Sequence, residues 1–202
     1  MSTSQPTLAA PGLEIGERAP GFALPDQLGR VVSLDAQLAQ GPVVLVFCRG
    51  DWCPYCNLTL RRLQAELETF RAHGAQLLAV SPQAPDRALT LAETHALEFP
   101  VLSDVEQATI AAYRVRYAVR SAVKNLLNDF GNDLSQQNAN RSWSLPIPAT
   151  FVIDDAGVIR ARFVDADFTK RTDADIVAAL AELSANGRRR DDKLGAGPPR
   201  SA

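Results

Sequence analysis

Three cysteines fall in one short stretch, Cys48-Arg49-Gly50-Asp51-Trp52-Cys53-Pro54-Tyr55-Cys56. Cys53 and Cys56 form a C-x-x-C pair that follows an apolar run and opens a helical pattern, which is the setting of a redox dithiol. Two thiols three residues apart at a helix start can close a disulfide across the first turn. The unpaired N–H groups and partial positive charge of a helix N-terminus favour a thiolate there. Pro is at home in the first helical position, where it loses no hydrogen bond. That puts Pro54 at N1, Cys53 at the N-cap and Cys56 at N3, with the amides of Tyr55 and Cys56 able to stabilise a Cys53 anion. Cys56, Leu60, Leu63, Leu67 and Phe70 then step along one helical face. The spacing predicts Cys56 against the core, and Cys53 toward solvent with the lower pKa.

The neighbours suggest supporting roles. Arg49 can stabilise a thiolate or negative charge developing on a substrate oxygen. Trp52 and Tyr55 can shape a shallow apolar surface. Cys48 ends a buried strand, where cysteine acts as a small hydrophobe. Zinc needs about four ligands; Cys48, His73 and His95 make no second pair, so no metal site is expected, and dithiol chemistry needs no cofactor.

The elements that must position this pair alternate between strand and helix. Phe22–Leu24 and Val31–Leu34 flank a turn and read as a hairpin. Val43–Cys48 reads as a central strand buried on both faces. Pro54–His73 reads as one helix, Gln76–Ser81 as a strand, Pro85–His95 as a helix and Phe99–Leu102 as a short strand. Val105–Tyr113 is helical, Thr150–Asp154 and Val158–Val164 are strands around a turn, and Asp173–Ser184 is a closing helix. The fold class is therefore α/β, a mixed central sheet flanked by helices with an antiparallel late hairpin. Residues 115–147 interrupt the rhythm as an insertion. Val119, Val123, Leu126, Leu127, Phe130 and Leu134 place one apolar stripe on a helix over 120–136, and a polar loop runs on to Trp143. That stripe packs on the core or serves as a lid or homodimer surface. Residues 1–12 read as a flexible arm, 13–185 as the domain and 186–202 as a disordered tail.

The chain has 202 residues, 46% of them hydrophobic, and a net charge of −2. This excludes collagen-like, coiled-coil and wholly disordered chains, and offers no field for nucleic acid or an anionic membrane. No apolar run approaches the roughly 20 residues a membrane span needs. Arg18 is the first basic residue, behind Glu14 and Glu17, so no secretory signal is expected and the cytoplasm is the expected compartment.

Gly16–Leu24, Val43–Leu60 and Pro146–Ile159 together resemble the peroxiredoxin-like AhpC/TSA family, over roughly residues 13–185. The resemblance implies a thioredoxin-like fold and a thiol-dependent peroxidase. A cysteine attacks the peroxide O–O bond, becomes a sulfenic acid, is resolved by a second thiol and is reduced again by a thioredoxin-like donor. The family pattern Pro-x-x-x-Thr-x-x-Cys falls on Arg49, Cys53 and Cys56, and its late Arg on Pro148, so only the last cysteine matches. The centre is closer to thioredoxin, whose Trp-Cys-x-x-Cys is matched by Trp52, Cys53 and Cys56 and whose cis-proline is matched by Pro148. Thioredoxin's buried Asp falls on Phe47. One template makes Cys56 the attacking sulfur and the other Cys53; capping and burial favour Cys53.

If the strand from Thr150 starts beside the site, the strand ending at Val164 returns to it. That would bring Asp165, Asp167 and Arg171 near, an acid to move a proton and a cation for the displaced Arg. Three functions remain open: a thiol peroxidase acting on hydrogen peroxide or alkyl hydroperoxides, a thiol–disulfide oxidoreductase acting on proteins, and a redox sensor that binds a partner through 115–147.

Overall fold

The computed structural model describes residues 11–165, 175–183 and 185. Val43–Phe47 forms β3, whose five residues are all buried. Parallel to it runs β4 (Gln76–Ser81), and β5 (Val101–Ser103) lies parallel beyond β4. On the other side β8 (Ala149–Ile153) pairs antiparallel with β3, and β9 (Ile159–Val164) antiparallel with β8. The five-stranded sheet thus has the order β5-β4-β3-β8-β9. The parallel half needs helical crossovers, while the Asp155–Gly157 turn suffices to join β8 to β9. The mixed sheet is the one the sequence predicts, and it is the thioredoxin-like arrangement.

Alternate residues of β3 feed two cores. Val44, Val46 and Cys48 join α2 (Pro54–Ala65), α3 (Leu67–Ala72), α4 (Pro85–Thr94) and α8 (residues 175–183) on one face. Val43, Leu45 and Phe47 face α5 (Ala108–Ala112), and Leu34, which opens the short α1 (Leu34–Leu38), packs in the same core. There Phe47, Tyr113 and Phe151 cluster, with Tyr113 5.1 Å from Phe47 and 5.4 Å from Phe151 between ring centres. Truncating a fully buried ring costs about 3–5 kcal/mol. Phe151→Ala is therefore expected to lose that much stability in a urea titration.

Several boundaries differ from the sequence reading. The N-terminal hairpin is β1 (Ala23–Pro25) with β2 (Val31–Ser33). The long helix divides at Glu66, whose ψ of 3° leaves helical geometry. Its N–H still donates to Arg62 O and its carbonyl accepts from Phe70, so the apolar stripe runs through. In the insertion, one expected helix is two, α6 (Ser121–Asp129) and α7 (Leu134–Gln137). Gly131, at φ +76°, ends the first, and the Asp133 side chain caps the second. The insertion also carries an unexpected ribbon, β6 (Arg116–Ala118) with β7 (Ser144–Pro146). Among the described residues no helix is long and apolar enough to cross a membrane.

Candidate active site

The site sits where β3 ends. Cys48 is fully buried in the core under α2, and its thiol donates to Val80 O at 3.5 Å. That is the small-hydrophobe position expected for it. The chain then turns through Gly50, at φ +129°, where a Cβ would collide with the Gln83 side chain. Only glycine fits both demands. Cys53 follows as N-cap of α2, with Pro54 in its first turn, as the spacing predicts.

The expectation that Cys53 leans to solvent is not met. Its relative exposure is 3% and that of Cys56 is 0%. Cys53 belongs to the same buried cluster as Cys48, Cys56 and Leu60, with Trp52 packed against it. None of the three cysteines is joined in a disulfide, and all three are buried. The Cys56 side chain is the largest influence on Cys53, whose pKa falls from 9.0 to about 6 as the neighbouring thiol donates to it; burial opposes this, and the Cys56 amide, the Arg49 charge and the Tyr55 amide add to it. No amide closes a capping hydrogen bond of ordinary geometry on the Cys53 side chain. The amides therefore act as oriented dipoles, and the capping argument captures the lesser part of the effect. Cys56 in turn accepts the Arg49 backbone N–H at 3.3 Å.

Arg49 lies over the Tyr117 ring, 5.9 Å from its centre. Burial raises the Tyr117 phenol; Arg49 pulls it down and the two sulfurs push it up. Trp52 packs between the main core and the insertion's own cluster of Val119, Leu134 and Leu145. Its indole N–H is buried and finds no hydrogen-bond partner among the described residues. Pro54 and Tyr55 are exposed. Tyr117 had no local signal in the sequence, because strand pairing across the insertion brings it here. A ring against a cation contributes about 1 kcal/mol, or roughly fivefold in rate. Tyr117→Leu is expected to slow thiol alkylation and peroxide reduction by about that factor, and Tyr117→Phe to leave both near wild type.

Pro148 is buried, and the β3–β8 register, carried one residue past Phe47↔Ala149, sets it opposite Cys48. The cis bond expected there is absent: the Ile147–Pro148 peptide is trans. Ile147 continues the insertion ribbon, and its N–H donates to Val115 O at 2.7 Å. The backbone thus enters β8 extended, with the Ile147 amide already occupied within the chain. The strand ending at Val164 does return, bringing the Asp165 N–H to Pro148 O at 3.4 Å. Asp167 and Arg171 lie outside the described residues, as do residues 1–10 and the tail from 186. Among the described residues no three His, Cys, Asp or Glu side chains converge as metal ligands.

Two cysteines at the N-terminus of the helix after the central strand, in a β5-β4-β3-β8-β9 sheet, place the chain among thioredoxin-fold proteins. The AhpC/TSA family profile matches residues 15–162, so the chain belongs to the AhpC/TSA family. It is similar to peroxiredoxin Bcp of Escherichia coli, 32% identical over 104 residues, 51% of this chain and 65% of the relative. It is similar also to chloroplastic peroxiredoxin Q of Populus jackii, 32% identical over 89 residues, 44% of this chain and 41% of the relative. The chain thus spans less than two thirds of either relative. The crystal structure of peroxidoxin BcpB from Mycobacterium tuberculosis superposes with a TM-score of 0.68 at 23% identity, covering 86% of this chain and 97% of that one. That likeness extends the shared fold over nearly the whole relative.

Proposed function

We propose that the protein is a thiol peroxidase that reduces hydrogen peroxide or alkyl hydroperoxides through a Cys53/Cys56 dithiol–disulfide cycle. What supports this is the placing of Cys53 at the N-cap of α2 with Cys56 in its first turn, where the Cys56 side chain, the helix amides and the Arg49 charge lower the Cys53 pKa to about 6. In the first step the Cys53 thiolate attacks the terminal peroxide oxygen. The O–O bond breaks, Cys53 becomes a sulfenic acid, and the departing alkoxide or hydroxide takes a proton. Arg49 and the unpartnered Trp52 N–H are donors suited to that leaving oxygen. The Cys56 thiol then attacks the Cys53 sulfur, expelling water and closing the disulfide. A thioredoxin-like dithiol donor returns two electrons and two protons.

A second reading is a thiol–disulfide oxidoreductase acting on proteins. Exposed Tyr55 and Leu58 beside the pair favour it. The occupied Ile147 amide and the burial of both sulfurs count against it, since an extended polypeptide finds no open backbone edge at Ile147 while a small peroxide needs none. Asp165, whose N–H reaches Pro148 O, is a proposed proton carrier together with Asp167, and Arg171 is the proposed cation. Val123, Leu126 and Phe130 expose an apolar face, which supports the insertion as a homodimer surface. The cytoplasm is the proposed compartment.

The test is a single turnover. Fully reduced protein is mixed with substoichiometric hydrogen peroxide, and thiols are counted while Trp52 fluorescence is followed. Rapid loss of two thiols per peroxide supports the peroxidase. A reaction no faster than that of a free thiol, together with insulin reduction, supports disulfide exchange instead.

A further inference from the structure

The loop between β3 and α2 is held by a residue from the next crossover. Gln83, two residues past β4, is fully buried. Its Oε1 accepts the Asp51 backbone N–H at 2.8 Å, and its Nε2 donates to Asp51 Oδ1 at 2.7 Å. Its own backbone N–H donates to Ser81 Oγ at 3.1 Å. The other Asp51 oxygen accepts from Arg87 at 3.0 Å, and Arg87 also donates to Gln137 of α7 at 3.1 Å. The Asp51 carbonyl accepts from the Asn57 side chain at 2.8 Å. Asp51 is thus fixed at its amide, its carbonyl and both carboxylate oxygens. Gly50 lies flush against the same Gln83 side chain. Immediately before it, Arg49 presents its N–H to the Cys56 sulfur at 3.3 Å.

We propose that Gln83 is a positioning residue for the dithiol: by gripping both the amide and the carboxylate of Asp51, it aims the Arg49 N–H at Cys56 and holds the Arg49 side chain beside Cys53. This deepens the thiol-peroxidase reading and rests on it. Two bonds from one buried amide fix the loop in translation and rotation, which one bond would not do. The thiolate depends on the direction of its donors, since a hydrogen bond weakens steeply once the angle is lost. Freeing the loop therefore leaves the sulfurs buried and removes part of what offsets burial, the Arg49 N–H on Cys56 and the Arg49 charge, while the Cys56 thiol stays beside Cys53.

Two variants test this by ultraviolet titration of the thiolate, which needs no peroxide and so separates failure of this proposal from failure of the peroxidase reading. Gln83→Met keeps length and neutrality and removes both bonds. It is expected to move the low thiol titration up by about one pH unit, a tenfold loss of thiolate at a given pH below it. The double variant Gln83→Glu with Asp51→Asn reverses donor and acceptor and keeps the net charge. An Asn side chain at 51 then donates to the Glu carboxylate at 83, which also accepts the amide of residue 51. Its thiolate content is expected within about twofold of wild type. A folded Gln83→Met with an unchanged titration overturns the proposal. If Gln83→Met does not fold, the double variant decides: a wild-type titration supports the proposal, and a displaced one overturns it.

Discussion

Cys53→Ser is expected to lower peroxide consumption at least about a thousandfold, because an alcohol replaces the thiol whose pKa the Cys56 thiol, the helix amides and Arg49 bring down to about 6. Cys56→Ser is expected to behave differently. Its Cys53 still consumes one equivalent of peroxide and then stops, since nothing resolves the sulfenic acid. The serine hydroxyl keeps a donor beside the Cys53 sulfur, so the first step stays close to wild type in rate. Stopped-flow mixing with a sulfenic-acid trap distinguishes the two. If instead Cys56→Ser is dead and Cys53→Ser traps one equivalent, Cys56 is the attacker and the family pattern prevails over the thioredoxin-like centre.

The pH dependence should be equally large. The reactive species is the thiolate, and Cys53 is half ionised at about pH 6. The second-order rate with peroxide is expected to be flat above about pH 7 and to fall tenfold per unit below about pH 6. Cys56→Ala removes the donor that contributes most to the depression. Loss of a donor to an anion disfavours the anion, so the profile moves to higher pH, and the rate at pH 7 is expected to drop about ten- to a hundredfold. Iodoacetamide alkylation across the same range checks the shift independently of peroxide. The sign for stability follows from the same depression. Between about pH 6 and 9 the folded, reduced chain binds fewer protons than the unfolded one. Its stability therefore rises across that window, and this contribution is lost as pH falls through 6. The disulfide form, with these thiols gone, should lack that slope.

Much of this centre is written locally. Val43–Cys48 shows its double burial as an unbroken apolar run, and Pro54 fixes the start of α2 to the residue. The stripe from Cys56 to Phe70 is buried at every position. What the sequence hides is long-range. Gln83 and Arg87 meet Asp51 from over thirty residues away, and nothing around them marks a partner. Tyr117 reaches Arg49 through a ribbon of two short strands, β6 and β7, whose apolar content is too thin for a period-two signal. The burial of Cys53 is hidden too. Helical periodicity describes what lies under a helix, and Cys53 stands at the N-cap before that periodicity begins, within the core cluster that Trp52 packs against. Pro148 shows the opposite risk: a motif suggested a cis bond, and pairing of Ile147 with Val115 imposed an extended trans one.

The placing of Cys53 and Cys56 on a single helical turn also sets how such an enzyme would wear. In the proposed cycle no segment has to travel for the second sulfur to reach the first. Well-aligned groups within one molecule react as if at an effective concentration on the order of 10⁵ M or more. A second oxidant molecule, dilute in the surroundings, loses that race. In that cycle the Cys53 sulfur would be shielded from the irreversible step to sulfinic acid. Under sustained oxidant load the limit on such a cycle would be the supply of reducing equivalents.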